Sequence, residues 1–492
     1  MSLLSCARKH RSLLWYRHHR AMMRRHALAA AASTSSTSKK KAGTLTLLLP
    51  VATASTPTPS PAIQASKPRE ISSTSSTSAK TAAMELHDDT RAVPVEESAS
   101  SPWRALFLTF FAMIQPEKIK QPLAVDTEFL DDLHVNPVPP NVSDVVEHPE
   151  HLIWRYDMDS YAANSHNEDR SQYILDSIAL ECEESPEHDG PEVSMPVFFC
   201  GCYDGHGGEQ AVEFVQRNLY RNIKNHMRRH VGSVTDAIIS GFQETDQEFH
   251  RRSLLEFERG EWSACSVGAC AVIAMIVDTK LYVASCGDCR AIMAYREPNG
   301  SLSVEQITWD HSANDEREQE RLKLLYPDDY DIVREIGAHN YYVKGRLQPT
   351  RSLGDTYMKV QDVNRAPMPR GLRIRGSFKR PYITAIPDVF EVDLNERHPE
   401  FLVLGSDGLY GELSNQEIAQ MVDKFRVQGV ENVSQALRAS VLERIAEYYG
   451  FSKKELEQIS PGERRNYHDD ITIDVVHFAP PPSLSQDEPV AA

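Results

Sequence analysis

Six apolar runs stand out along the chain, at 197–203, 269–277, 281–286, 290–295, 401–406 and 471–478. Each is short, rich in Val, Ile, Phe and Ala, and bounded by Gly, Asp or Ser, the pattern of a buried β-strand. "ACAVIAMIV" and "LYVASCG" are separated only by Asp278-Thr279-Lys280, so this pair reads as a hairpin. Elsewhere the period lengthens. After Gly208, residues Val212, Val215, Leu219 and Ile223 share one helical face, and further helices are predicted over 233–257, 312–325, 414–426 and 431–448. Hairpin-linked strands, apolar enough to be covered on both faces and alternating with long helices, predict an α+β fold. Its expected form is stacked antiparallel sheets with helices outside rather than one parallel sheet. No glycine-rich loop of the P-loop or dinucleotide-binding type occurs.

The pattern is confined to the C-terminal two thirds. Residues 30–80 ("AAASTSSTSKKK", "ASTPTPSPA", "SSTSSTSAK") are too poor in apolar side chains to bury a core. The predicted organisation is therefore a basic low-complexity tail or transit peptide at 1–84, a linker or N-terminal extension at 85–149, a folded domain at 150–480 and a tail at 481–492. The first 50 residues carry Arg8, Arg11, Arg17, Arg20, Arg24 and Arg25 and no acid, as organelle transit peptides do. No run approaches the 18 or so apolar residues that span a bilayer; the longest, "ALFLTFFAMI" at 105–114, is too short.

Charge sharpens the division. Residues 1–84 hold 13 Lys and Arg against one acid, while the remaining 40 Lys and Arg face 69 acids. A body carrying −29 repels phosphate backbones, which argues against a nucleic-acid partner and favours cations or basic protein surfaces. The eight cysteines do not form a disulfide framework in a chain of 492 residues. Cys200/Cys202 and Cys286/Cys289 read as buried thiols rather than a zinc site.

The acids also have a position. Glu168 and Asp169 precede a strand, Asp204 ends one in "YDGHGG", Asp288 lies between two in "SCGDCR", Asp407 follows "FLVLGS", and Asp469 and Asp470 precede the last. One Asp in a turn is ordinary turn chemistry. Several, each abutting a buried strand, would repel one another if the strand ends converge, and hard cations such as Mg²⁺ or Mn²⁺ are their natural partners. Gly205 has no Cβ to keep its carbonyl from approaching such an ion.

The motifs "YDGHGG", "SCGDCRAIMA", "TRSLGD", "GSDGLYGELSNQE" and "HDDITIDVV", in this order over about 150–478, resemble the metal-dependent PPM (type 2C) protein serine/threonine phosphatases. The resemblance implies a four-layer αββα sandwich, two central antiparallel sheets flanked by helices, and a monomeric catalytic domain acting on phosphoproteins. It implies that Asp204 bridges two Mn²⁺ or Mg²⁺ ions, that the Gly205 carbonyl, Asp407 and Asp469 complete their ligands, and that Glu168 and Asp169 hold their waters. Asp288 would serve a weaker third ion. A water activated between the two cations would attack phosphorus, and His206 would protonate the leaving alkoxide.

One position departs from the family. Its usual phosphate-binding Arg lies five residues before the Asp of the acidic pair, where this chain has Asn164, which cannot clamp a dianion bidentately. "YDMDSYAANSHNEDR", "QERLKLLYPDD", "VKGRLQPTRSLGD" and "RPYITAIPDV" look like the pyruvate dehydrogenase phosphatase branch and its plant relatives, which is similar in lacking the Arg. Arg170 and Lys359 are the substitutes considered. The branch resemblance implies mitochondrial import, with plastid or cytosol as alternatives, and pyruvate dehydrogenase as substrate. The basic insertion 359–381 reads as a substrate-facing flap or a solvated loop. The alternative function is a catalytically inactive, phosphatase-like binding module; loss of a metal carboxylate would mark it, and none is lost.

Overall fold

The computed structural model describes residues 141–147, 153–179, 194–229, 233–376, 378 and 380–480, all within one compact unit. The transit-type segment, the run at 105–114 and the C-terminal tail lie outside the described residues. In chain order come β1 (Asn141–Glu147), β2 (Arg155–Tyr161), β3 (Asp169–Ala179), β4 (Ser194–His206), α1 (Gln210–Arg229), α2 (Val234–Glu258), β5 (Gly268–Val277), β6 (Lys280–Cys286), β7 (Arg290–Arg296) and β8 (Leu302–Gln306). There follow α3 (Glu316–Leu325), β9 (Val333–Glu335), β10 (Tyr341–Val343), β11 (Leu353–Gly354), α4 (Thr356–Lys359), β12 (Asp388–Asp393) and α5 (Leu394–Arg397). The last are β13 (Phe401–Gly405), α6 (Asp407–Tyr410), α7 (Asn415–Val427), α8 (Val433–Tyr449), α9 (Lys453–Gln458) and β14 (Ile471–His477).

Two antiparallel sheets carry the fold. One runs β1-β2-β14-β13-β7-β8, the other β12-β6-β5-β4-β3 with the short β11 beside β5. Alternation along β4 and β5 explains why both read as unbroken apolar runs. Phe199, Tyr203, Ala271, Ile273 and Met275 pack outward against Val212, Val215, Leu219 and Ile223 of α1. Their neighbours Phe198, Cys200, Cys202, Val272, Ala274 and Ile276 face the other sheet, meeting Ala291, Met293, Leu402, Leu404 and Val476. On the far side Phe401, Val403, Ile473 and Val475 bury against Ile418 and Val422 of α7 and Leu437, Val441 and Ile445 of α8. The layers are thus helix, sheet, sheet, helix, as expected. Each Val, Leu, Ile, Met or Phe side chain fully removed from water here contributes roughly 1.5–3 kcal/mol. Local signals place the helix ends. Ser414 and Glu417 form a reciprocal capping box at the start of α7, and Gly450, with φ of 76°, stops α8.

Cys200, Cys202, Cys270 and Cys289 sit in the intersheet core, where loss of water pushes the Cys202 thiol up to about 12. The insertion 359–381 is no bare loop: Val363, Met368, Ile374 and Phe378 join Leu322, Tyr326 and Tyr382 in a fourth apolar cluster.

Asp474 of β14 is fully buried between the sheets, accepting hydrogen bonds from Tyr156 Oη (2.9 Å) and Ser171 Oγ (2.6 Å), while its second oxygen has no partner. Burial outweighs these bonds and raises its carboxyl to about 7. A raised folded-state value means the stabilising contribution is complete below the ordinary carboxylate value and is lost as pH rises toward 7. Asp474→Asn should therefore match or exceed wild-type stability, with an advantage that grows from pH 4 to pH 7 by on the order of 1–3 kcal/mol. Denaturant unfolding of both proteins at each pH checks this; a pH-independent difference contradicts it.

Candidate active site

Strand polarity brings the acids to one end of the sandwich. Antiparallel register sets Asp169, the first residue of β3, opposite Asp204 near the end of β4. In the other sheet Gly405 at the end of β13 pairs with Ile473 near the start of β14, so Asp407 and the Asp469-Asp470 pair emerge side by side. Asp288 occupies the turn between β6 and β7. Ser406 ties the sheets together at this end: its hydroxyl donates to Asp169 Oδ2 (2.8 Å) and accepts from the Thr472 amide (3.1 Å).

Close approach is built into the backbone. The Gly205 amide donates to the Glu168 carbonyl at 3.0 Å. A Cβ at Gly205 would lie 2.5 Å from that carbonyl oxygen and 2.9 Å from Val212 Cβ, so no larger residue fits without displacing the strand–helix turn. At Gly408 a Cβ would collide with the Asp470 carbonyl, which is why the Asp407 segment can lie directly on the start of β14.

Every predicted metal ligand feels its neighbours. Asp204 is held well above the ordinary carboxylate range by loss of solvent and then by Asp169, Asp407 and Asp469. Asp169 is raised by burial and by Asp470. Asp407, although its surface reaches water, is crowded by protein atoms and raised to about 6, with Asp288 contributing. Asp469 reaches about 7 through desolvation and Asp407. Desolvation also raises Glu168, helped by Asp470, and Asp288, helped by Asp310. Arg465, ion-paired with Asp469 at 2.7 Å, offsets only part of this charge: Asp407 and Asp469 stay raised despite it. Among the described residues, no three His, Cys, Asp or Glu side chains form a preassembled ligand cage. The chemistry of the donors still fits a hard divalent cation: oxygen atoms only, mutually repelling and partly solvated.

Asp470 proves to be an organiser. Its Oδ1 accepts the Ala163 and Asn164 amides (2.6 and 2.8 Å), and its Oδ2 accepts the Glu168 amide (2.7 Å) and Asn164 Nδ2 (3.1 Å). Asn164 also donates to Glu168 Oε2 at 3.3 Å. The residue standing where the family has an Arg therefore braces two carboxylates.

His206 is half-buried, and its Nε2 lies 2.8 Å from Asp355 Oδ2. Asp355 is fully buried, takes a second bond from Ser352 Oγ (2.6 Å), and adopts a left-handed conformation with φ of 48°. Burial alone would lower the imidazole's affinity for a proton, but Asp355, with Asp288 and Glu168 behind it, raises it above the ordinary value. Reading the sequence did not assign Asp355 a role. Its signal was the "TRSLGD" motif, whose Asp meets His206 only across 149 residues.

The two substitutes considered for the missing Arg do not serve. Arg170 is spent on the Asn167 and Asp169 carbonyls and on Glu209. Lys359 is buried against Asp246 (2.7 Å) and the Ser352 carbonyl.

Carboxylates from the strand ends of both sheets thus converge beside a histidine–aspartate pair, a donor set that suits divalent cations. Comparison supplies the family. The Protein phosphatase 2C family model matches residues 164–447. The chain is 36% identical to "Probable protein phosphatase 2C 48" of Arabidopsis thaliana, over 66% of this chain and 81% of that protein. It is 32% identical to "Probable protein phosphatase 2C 28" of Oryza sativa subsp. japonica, over 68% and 82% respectively. A crystal structure of serine-threonine phosphatase 2C from Toxoplasma gondii shares 19% identity, covering 70% of this chain and all of that one, with a TM-score of 0.46. The chain belongs to the protein phosphatase 2C family, whose members are metal-dependent serine/threonine phosphatases. Among the described residues no helix is long and apolar enough to cross a membrane.

Proposed function

We propose that this protein removes phosphate from phosphoserine and phosphothreonine with two Mg²⁺ or Mn²⁺ ions held by Asp204, the Gly205 carbonyl, Asp407 and Asp469. Asp288 is the proposed ligand of a weaker third ion. When bound, the ions supply an activated water and neutralise charge developing on the phosphoryl oxygens. The chain's own residues do the rest. Ser406 holds the buried Asp169 and Asp470 holds the Glu168 backbone, positioning both carboxylates to orient water. His206, with Nε2 engaged by Asp355, has Nδ1 left to protonate the departing serine or threonine oxygen. The observation that carries this reading is the convergence of carboxylates from both sheets on one end, beside the His206–Asp355 pair.

The narrower proposal is that the phosphorylated E1 subunit of pyruvate dehydrogenase is a substrate and that residues 1–84 direct import into mitochondria. Its support is the branch resemblance and the acid-free, Arg-rich start. Purified protein should release phosphate from a phosphoserine peptide with Mg²⁺ or Mn²⁺ and fall silent in EDTA; metal-independent turnover overturns the catalytic reading. Slow turnover of phosphorylated E1 against fast turnover of other phosphoproteins, or an address unchanged by deleting 1–84, removes the narrower proposal alone.

A further inference from the structure

Resting on the phosphatase reading, we propose that Arg465 grips the phosphoryl group of the substrate, doing from a neighbouring turn what the chain's Asn164 cannot. A phosphate dianion entering this site meets Glu168, Asp204, Asp288, Asp407 and Asp469. Besides metal ions it needs a fixed cation with N–H donors to spare, and a guanidinium matches two phosphate oxygens at once. The basic side chains nearby are mostly committed. Arg170 and Lys359 are consumed as described above. Arg290 is paired with Asp310 and Asn415 and stacked over Tyr410.

Arg465 differs. Its Nη2 meets Asp469 Oδ2 at 2.7 Å, and its side chain is 41% exposed. Held on Asp469 and partly open to solvent, it stands at the edge of the carboxylate cluster. Asp469 is its sole hydrogen-bonding or ion-pair partner among the described residues, which leaves most of the guanidinium fork unused.

The turn that carries Arg465 is firmly seated, and its seat is the loop bearing Asn164. The Gly462 amide donates to the Ala163 carbonyl at 2.7 Å. Arg464, buried, donates from Nη1 to the Ala162 carbonyl (2.6 Å) and from Nη2 to the Glu457 and Ile459 carbonyls, with its guanidinium over the Tyr161 ring. Of two consecutive arginines, the first therefore locks the turn onto 162–164 and the second projects over the carboxylates. The positive charge missing at position 164 is returned beside the same loop from position 465, 301 residues further along the chain. A rival role is available: Arg465 could merely offset the acids and never touch phosphate.

The two roles part in their response to inorganic phosphate. In the full-length protein with Mn²⁺ present, Arg465→Ala should weaken competitive inhibition by inorganic phosphate at least ~10-fold, and Arg465→Lys by less, because charge survives but the fork does not. Mn²⁺ affinity measured by calorimetry should be unchanged or tighter, since a cation has been removed from beside the carboxylates. Partial exposure of Arg465 and the anchoring by Arg464 should leave the melting temperature at the wild-type value. Unchanged phosphate inhibition in Arg465→Ala, with tighter Mn²⁺ binding, would leave Arg465 a counterion and overturn the proposal. A wild-type protein that binds no Mn²⁺ would instead bring down the phosphatase reading on which it rests.

Discussion

Asp407→Asn should lower turnover of a phosphoserine peptide by at least ~10²-fold at low Mn²⁺ while leaving the fold intact. The buried strand Phe401–Gly405 fixes the position of residue 407 whatever its charge, and the substitution keeps the side-chain size. What it removes is one negative charge from a group of acids that already resist ionising together: Asp407 itself is raised to about 6 by crowding and by Asp288. Less charge repulsion costs the metal-free protein nothing and raises or preserves its melting temperature. The same loss weakens the attraction for divalent cations. Two measurements on one variant should thus move apart, activity falling while metal-free stability holds. High Mn²⁺ should restore part of the activity. Wild-type activity of the variant at low Mn²⁺ would show that Asp407 is not a ligand.

His206→Ala should slow phosphoserine hydrolysis by about 10²–10³-fold, as expected for loss of a positioned proton donor. An alkoxide is a poor leaving group and needs that proton; nitrophenolate does not. Turnover of p-nitrophenyl phosphate should therefore fall by less than about tenfold in the same variant. Asp355→Asn should show the same substrate contrast more weakly, because Asp355 acts only through the imidazole it holds at 2.8 Å. Equal losses on both substrates would assign His206 to structure or metal binding instead. The increase in melting temperature on adding Mn²⁺ should survive in both variants, which separates this effect from that of Asp407→Asn.

Much of the frame was legible because local and tertiary demands coincide. The run "ACAVIAMIV" could only be a strand covered on both faces, and it is β5, with every residue buried. The helix predicted over 414–426 became α7, starting where Ser414 and Glu417 cap it. β2 was not legible. "RYDMDSY" reads as a polar stretch, yet it is a strand inside the sheet, between β1 and β14. Its acids are buried because distant groups satisfy them: Asp157 accepts the Val433 amide, and Asp159 pairs with Arg438 at 2.6 Å. A polar residue whose partner lies nearly 300 positions away leaves no periodic trace.

The same division runs through the active site. From sequence alone came the most apolar strands, the main helices and the observation that acids crowd the strand ends, because hydrophobic periodicity and turn chemistry are properties of neighbouring residues. Tertiary structure decided which acids act together and what each does. The register of β3 against β4 set Asp169 beside Asp204, Asp470 turned inward to hold the 163–168 loop, and Asp355 crossed to His206. It also decided which basic groups are free. "Arg464-Arg465" is a featureless pair on paper; packing on Ala162 and Tyr161 buries one and leaves the other facing the carboxylates, since burial and long-range charge depend on contacts that spacing along the chain does not encode.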